Sequence, residues 1–298
     1  MEQNFHPIFS VVIPTYNRGF LLPNTINSVL EQTCFFFEVI IVDDGSTDKT
    51  SEIVKPYLAD KRISYFKIKN SERGAARNFG VLRSKGDYIT FLDSDDIFLP
   101  WHLAKALEKI RISSSPPAFH LRYEVLHLDG SVDLPPLLPS PVNDKLLEGN
   151  FLSCMGVFLR RDIAEQNRFD EDRQLSGSED YELWLRIAAR VPILTFDEIT
   201  SRLINHKDRS VIQTNPKSLM ARISSLGRKL QDNELFMQRF GNRLEMFNSF
   251  STLYLALHLA LSGARWLALK SLVYSVREYP YVVFNYRFGV ALKKILLW

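Results

Sequence analysis

At 298 residues, 46% of them hydrophobic and 24% charged, the chain has ordinary globular composition and enough length for one large α/β domain with an appendage. Its net charge of +3 is too small to indicate nucleic acid, and none is expected as a partner. Cys34 and Cys154 have no metal-ligand or CxxC spacing, and no basic-then-apolar leader opens the chain, so buried thiols and a cytoplasmic location are expected.

Residues 9–13 form a β-rich run with apolar side chains on both faces, as in a buried parallel strand. Pro14 is expected to end that strand by removing a ladder donor, with Thr15 and Asn17 supplying turn and cap chemistry before a helix over 22–32. A second strand, 37–42, runs into Asp43 and Asp44. These read either as turn and cap residues or as a carboxylate that receives a nucleotide base or ribose. A helix over 50–58 and a third strand over 63–68 continue a βαβα pattern, the signature of a parallel sheet. Arg73 and Arg77 stand four apart on a helix face, beside Gly74, Ala75 and Ala76. That helix start is an anion site or a solvated helix with Glu72 as internal partner. GxGxxG and GxxxxGK[ST] motifs are both missing, which disfavours a dinucleotide fold or a P-loop.

The most informative stretch is Gly86-Asp-Tyr-Ile-Thr-Phe-Leu-Asp-Ser-Asp-Asp96. A short apolar strand, 88–92, ends in Asp93, Asp95 and Asp96, at the strand end where open α/β sheets bind ligands. Clustered like charges call for a cation or a donor network, and an oxygen-only set suits Mg2+ or Mn2+ shared with substrate phosphates. The alternative is an Asp-rich turn capping the next helix. Residues 116–151, with Pro135, Pro136, Pro139 and Pro141, read as an irregular connection. In Gly177-Ser-Glu-Asp-Tyr-Glu-Leu-Trp-Leu-Arg186, Ser176 or Ser178 can cap a helix. Glu179 and Asp180 then occupy its first turn, and Tyr181, Leu183, Trp184 and Leu185 its buried face.

From Pro216 onward strand signals vanish and helical runs take over, with a break at Gly263. Residues 246–264 carry no Asp, Glu, Lys or Arg, but Asn248, Ser249, Ser251, Thr252, His258 and Ser262 argue against a spanning helix. Residues 242–298 hold seven Lys/Arg against Glu245 and Glu278. Aromatic side chains interleaved with those cations over 265–298 suit peripheral contact with an anionic membrane; helices packed with a solvated basic face are the alternative.

Four motifs in order, Val11-Val-Ile-Pro-Thr-Tyr-Asn-Arg18, Glu38-Val-Ile-Ile-Val-Asp-Asp-Gly-Ser-Thr-Asp48, Arg73-Gly-Ala-Ala-Arg-Asn78 and the 86–96 stretch, resemble the family 2 glycosyltransferases of GT-A fold. The resemblance covers about residues 8–210. It implies an α/β fold, an αβα sandwich with a mostly parallel sheet. Residues 1–215 would be catalytic, with 8–100 binding the nucleotide sugar and 101–215 supplying the acceptor side and base. Residues 216–298 would form a helical extension. It further implies that Pro14, Thr15, Tyr16, Arg18, Asp44, Arg73, Arg77, Asn78, Asp93 and Ser94 hold a nucleoside-diphosphate sugar, with UDP favoured. Asp95, Asp93 and His206 would hold Mn2+ or Mg2+, with Asp96 in support. Asp180 would be the general base, assisted by Glu179 and Trp184, and Lys207 and Arg209 are further phosphate candidates. The implied reaction is inverting transfer to a glycan or lipid-linked glycan in surface polysaccharide synthesis, at the cytoplasmic face of the membrane. A polyprenyl-phosphate acceptor and a non-catalytic sugar-nucleotide scaffold are the competing readings.

Overall fold

The structure, a computed structural model, describes residues 6–206 and 215–297; Lys207 and Arg209 lie outside the described residues. The chain divides into two compact units. A sheet unit comprises Met1–Val142, Leu152–Glu171 and Val191–Lys207, and a helical unit Asn143–Phe151, Asp172–Arg190 and Asp208–Trp298. The segment carrying Asp180 therefore packs with the C-terminal helices, so the division does not fall at residue 216 alone.

The sheet unit contains strands β1 (Phe9–Thr15), β2 (Phe37–Asp43), β3 (Ile63–Lys67), β4 (Tyr88–Phe91), β5 (Ile97–Phe98), β6 (Ala118–Leu126), β7 (Val132–Asp133), β8 (Val157–Arg160) and β9 (Ile193–Ile204). Its helices are α1 (Leu22–Leu30), α2 (Thr50–Val54), α3 (Glu72–Arg83), α4 (His102–Ile112) and α5 (Arg161–Gln166). The sheet runs β3-β2-β1-β4-β8-β6-β9-β5, with β7 beside β6. Strands β1 to β4 pair in parallel, whereas β8 pairs antiparallel with both β4 and β6. Strand alternation sends successive side chains to opposite faces. Val11, Ile13, Val39 and Ile41 pack with Leu22, Ile26 and Val29 of α1 and Leu103 and Ala106 of α4. On the other face, Ile40 and Val42 meet Ala76 of α3. Gly80 lets α3 approach so closely that a Cβ there would overlap the Val12 methyls. The layers are helix, sheet, helix.

Two expectations need correction. Strand β1 does not stop at Pro14: its ladder with β2 runs on through Pro14 and Thr15, opposite Val42 and Asp43. On its other side the pairing with β4 ends at Val12 opposite Phe91. The Val12 carbonyl takes the Leu92 N–H, and the Thr15 carbonyl takes the Asp44 N–H. Pro14, two residues after Val12, therefore turns its missing N–H toward the side where β4 has already ended, and no ladder bond is lost. Secondly, residues 116–151 are not one irregular connection, because they contain β6, which pairs with both β8 and β9.

Beneath this sheet His102 lies stacked on Phe98 with ring centroids 3.8 Å apart, its Nδ1 2.8 Å from the Thr200 hydroxyl. Burial, then the neighbouring His120, pushes His102 down to about 3, and burial does the same to His120. Both stay neutral in the fold while the unfolded chain takes up protons near pH 6.5. The unfolded state thus binds more protons below that pH. Stability should be full above it and fall at about 1.4 kcal/mol per pH unit for each histidine as the pH drops from 6.5 toward 5. Urea midpoints at pH 7.5 and 5.5 should differ accordingly; equal midpoints would mean that neither imidazole is held neutral.

The helical unit consists of α6 (Glu179–Arg190), α7 (Pro216–Gln231), α8 (Glu234–Phe240), α9 (Leu244–Leu261), α10 (Arg265–Glu278) and α11 (Tyr286–Leu296). Leu253, Ala256, Leu259 and Ala260 of α9 form its core with Ala268 and Leu272 of α10 and Ala291 and Ile295 of α11. Gly263, at φ 81°, makes the turn between α9 and α10. No helix among the described residues is long and apolar enough to cross a membrane.

Candidate active site

The first cluster belongs to the sheet unit, at the carboxyl ends of β1, β2 and β4. Because β2 lies on one side of β1 and β4 on the other, this is the switch point where open parallel sheets leave a ligand crevice. Strand β4 delivers its carboxylates there: one oxygen from each of Asp93, Asp95 and Asp96 lies within 4.8 Å of the other two. Each has a distinct partner. Asp93 receives Arg77 Nη2 at 2.7 Å, and that guanidinium is fully buried over the Phe169 ring. Asp95 Oδ2 pairs with Arg18 and lies 2.9 Å from His206 Nε2. Buried Asp96 accepts the Ile204 N–H at 2.9 Å, anchoring the end of β9 that leads to His206. Asp96 therefore ties a strand rather than capping a helix. Three carboxylates with an imidazole alongside form a hard donor set that fits Mg2+ or Mn2+.

The loops after β1 and β2 are locked together. Asn17 donates its N–H to Ser46 Oγ at 2.8 Å, and its side-chain carbonyl accepts the Thr47 N–H at 2.8 Å. Asp44 is buried and takes the Ser71 and Glu72 N–H groups at 2.7 and 2.9 Å, so its carboxylate holds the start of α3. The cap role weighed for Asp44 thus applies to α3, while Asp48 accepts the Thr50 N–H at the start of α2. Thr15 Oγ1 is buried with no hydrogen-bond partner, a polar atom that calls for something else to satisfy it. Tyr16 is exposed and Ser94 buried. Arg73 is half-buried in the first turn of α3. Asn78 spends its amide on the backbone of Phe169, donating at 2.9 Å and accepting at 2.8 Å, and also donates to Glu171. It positions residues 169–171.

The second cluster belongs to the helical unit. Asp180 stands in the first turn of α6, where Asn150 Nδ2 donates to Oδ2 at 3.1 Å and its own Oδ1 accepts the Tyr181 N–H at 2.7 Å. Glu179 is buried and accepts the Gly177 N–H at 2.6 Å, bracing the turn that enters the helix. Trp184 is fully buried and fixes the helix from below. Sequence reasoning missed Asn150, which carries no motif, and Arg222. The latter left a trace: Leu219, Arg222, Leu226 and Leu230 share the buried face of α7, an arginine in an apolar stripe.

Known proteins share this chain's sequence pattern and its fold. The sequence pattern described as Glycosyl transferase family 2 matches residues 10–114. A Bacillus subtilis protein named as a putative teichuronic acid biosynthesis glycosyltransferase, TuaG, is 33% identical over 62% of this chain and 73% of its own length. The chain belongs to glycosyl transferase family 2. This family 2 chain spans only 26% of the length of a Rickettsia bellii relative named as an uncharacterized glycosyltransferase, to which it is 36% identical over 61% of its own residues. Among solved structures, S. aureus TarS, crystallised with UDP-GlcNAc, superposes with a TM-score of 0.65 at 17% identity, over 94% of this chain and 92% of that one. A Pyrobaculum calidifontis mannosyltransferase in complex with GDP-Man and Mn2+ gives 0.54 at 14% identity, over 98% and 86%. Those two likenesses establish the GT-A fold of the family 2 chain.

Proposed function

We propose that the protein transfers a sugar from a nucleoside-diphosphate sugar, with UDP favoured, to a hydroxyl of a glycan or lipid-linked glycan, inverting the anomeric centre. The observation that carries this reading is the convergence of Asp93, Asp95 and Asp96 at the sheet's switch point, where the neighbouring strand β1 ends in a buried Thr15 hydroxyl with no hydrogen-bond partner. Asp95, Asp93 and His206 would hold Mn2+ or Mg2+, which when bound offsets the charge that develops on the departing diphosphate. Thr15, Tyr16 and the loop held by Asp44 would receive the nucleoside. Arg18 and Arg73 would meet the phosphates, while Arg77 fixes Asp93 for the ribose. Asp180 would take the proton of the attacking hydroxyl. Asn150, which donates to Asp180, would hold its carboxylate in place, while Glu179 would brace the turn before it.

The acceptor side and the location rest on a different surface. Trp266, Tyr274, Tyr281, Phe284, Tyr286 and Leu296 are exposed on α10, on α11 and between them, among Lys270, Arg277, Lys293 and Lys294. Aromatic rings beside cations suit the headgroup level of an anionic bilayer. A lipid-linked acceptor at the cytoplasmic membrane face, in surface polysaccharide assembly, follows as part of the proposal, and the name carried by the B. subtilis relative points the same way.

The test is nucleoside diphosphate release from a panel of UDP-, GDP- and dTDP-sugars with Mn2+ present. One donor turned over well above the rest is the expected result. No release from any of them by folded protein would favour a non-catalytic sugar-nucleotide scaffold.

A further inference from the structure

The helical unit holds two arginines for which family membership gives no role. Arg222, on α7, is 94% buried by its 6% relative exposure. Its Nη1 donates to the Ser176 carbonyl at 3.2 Å, and its Nε has no partner. Arg287, on α11, lies over the Phe151 and Tyr286 rings at 5.4 and 5.8 Å, and its Nε makes a long 3.4 Å contact to the Tyr286 hydroxyl. Among the described residues no carboxylate comes within ion-pair distance of either. A buried guanidinium without a counter-charge is costly, so such a group calls for an anion.

Both guanidinium groups lie against the backbone that frames Asp180. Arg222 Nη1 fills the space a side chain at Gly177 would need, three residues before Asp180, and Gly177 has φ 88°. Arg287 Nη1 stands 2.8 Å from where a Cβ on Gly149 would be, next to Asn150, the residue that donates to Asp180. Tyr254 and His258 of α9, with ring centroids 4.3 Å apart, complete the group. Burial, then the charges of Arg222 and Arg287, holds His258 below its ordinary range, so its ring offers hydrogen bonds without adding a third charge. Burial raises the Tyr254 hydroxyl, the charges of Arg222 and Arg287 opposing that shift and the charge of Asp180 adding to it. A carboxylate of the same region, Glu148, is engaged elsewhere: it accepts Lys145 Nζ at 2.5 Å.

We propose that Arg222 and Arg287 bind a phosphate or phosphodiester group carried by the acceptor, holding the acceptor beside Asp180. This rests on the glycosyltransferase reading, and deepens it by assigning the acceptor an anionic group. Guanidinium forks match the oxygen spacing of phosphate, and a charge-assisted contact of this kind outweighs a neutral one.

The experiment measures binding without turnover, in EDTA to silence metal-dependent donor binding, so it stands whether or not sugar transfer is ever observed. Calorimetry with sn-glycerol 3-phosphate and a glycerol phosphate oligomer forms one arm. Co-sedimentation with phosphatidylglycerol vesicles forms the other, and glycerol is the neutral control. Wild type should bind at least one phosphate-bearing probe and not glycerol. Arg287→Gln should weaken that binding by about tenfold or more, with Arg287→Lys intermediate. Loss confined to the soluble probes would identify a phosphate-bearing glycan; loss confined to vesicles, a lipid headgroup. Because Arg222→Gln removes a buried group and could fail to fold, the half-exposed Arg287 carries the test, with its unliganded melting temperature as the folding control. No binding by wild type, or equal binding by Arg287→Gln, would overturn the proposal.

Discussion

Replacing Asp180 with asparagine should lower sugar transfer by about 10²–10⁴-fold, the contribution expected of a well-placed general base. The substitution keeps shape and nearly all contacts. An asparagine oxygen can still accept the Tyr181 N–H that Asp180 accepts at 2.7 Å, and Asn150 can turn its amide so that its carbonyl faces the new NH2 group. What disappears is the ability to take a proton. A neutral hydroxyl is a poor nucleophile, so the loss should fall on kcat with donor affinity largely kept. Steady-state transfer measured beside donor binding checks this. Near wild-type turnover would remove Asp180 from the reaction.

Asp95→Ala should act on the other substrate. Its carboxylate is the common partner of Arg18 and His206, so the substitution would remove a proposed metal ligand together with the contact that Arg18 and His206 share. Donor turnover is expected to fall by about 10²-fold or more, on the scale of losing one preorganised electrostatic contact in a reaction site. The Mn2+ concentration for half-maximal activity should rise. Asp95→Asn separates the two effects: the amide oxygen keeps a hydrogen bond to His206 or Arg18 but is a weaker metal ligand than a carboxylate. If both variants titrate with Mn2+ as wild type does, Asp95 is an anchor for Arg18 and nothing more.

Much of the carboxylate cluster after β4 was legible because its cause is local. An apolar run that ends in acid has to place that acid at a strand's carboxyl end, and the structure brings Asp93, Asp95 and Asp96 together there. The pairing of Asp95 with His206 joins residues far apart in sequence, and no local signal links them. Pro14 misled the reading because the side of the strand its nitrogen faces depends on which neighbour has already ended, a property of the sheet and not of the strand. Strand β6 was hidden by the prolines that follow it, although residues 118–121 are all buried and 122–126 half-buried. The surroundings of Asp180 were least visible. Asn150, Arg222 and Arg287 reach the same region from a loop and two helices, and no spacing rule links them. Only Arg222, as a charge on a buried helical stripe, carried a sequence signal.

The most direct test of the account is calorimetric titration of the wild-type protein with the turned-over nucleotide sugar, once in Mn2+ and once in EDTA. One-to-one binding that needs the metal is predicted, because the carboxylates of the β4 loop and the diphosphate would otherwise repel each other. Equal binding in EDTA would contradict a metal on Asp93 and Asp95, and no binding in either buffer would contradict the nucleotide-sugar site itself.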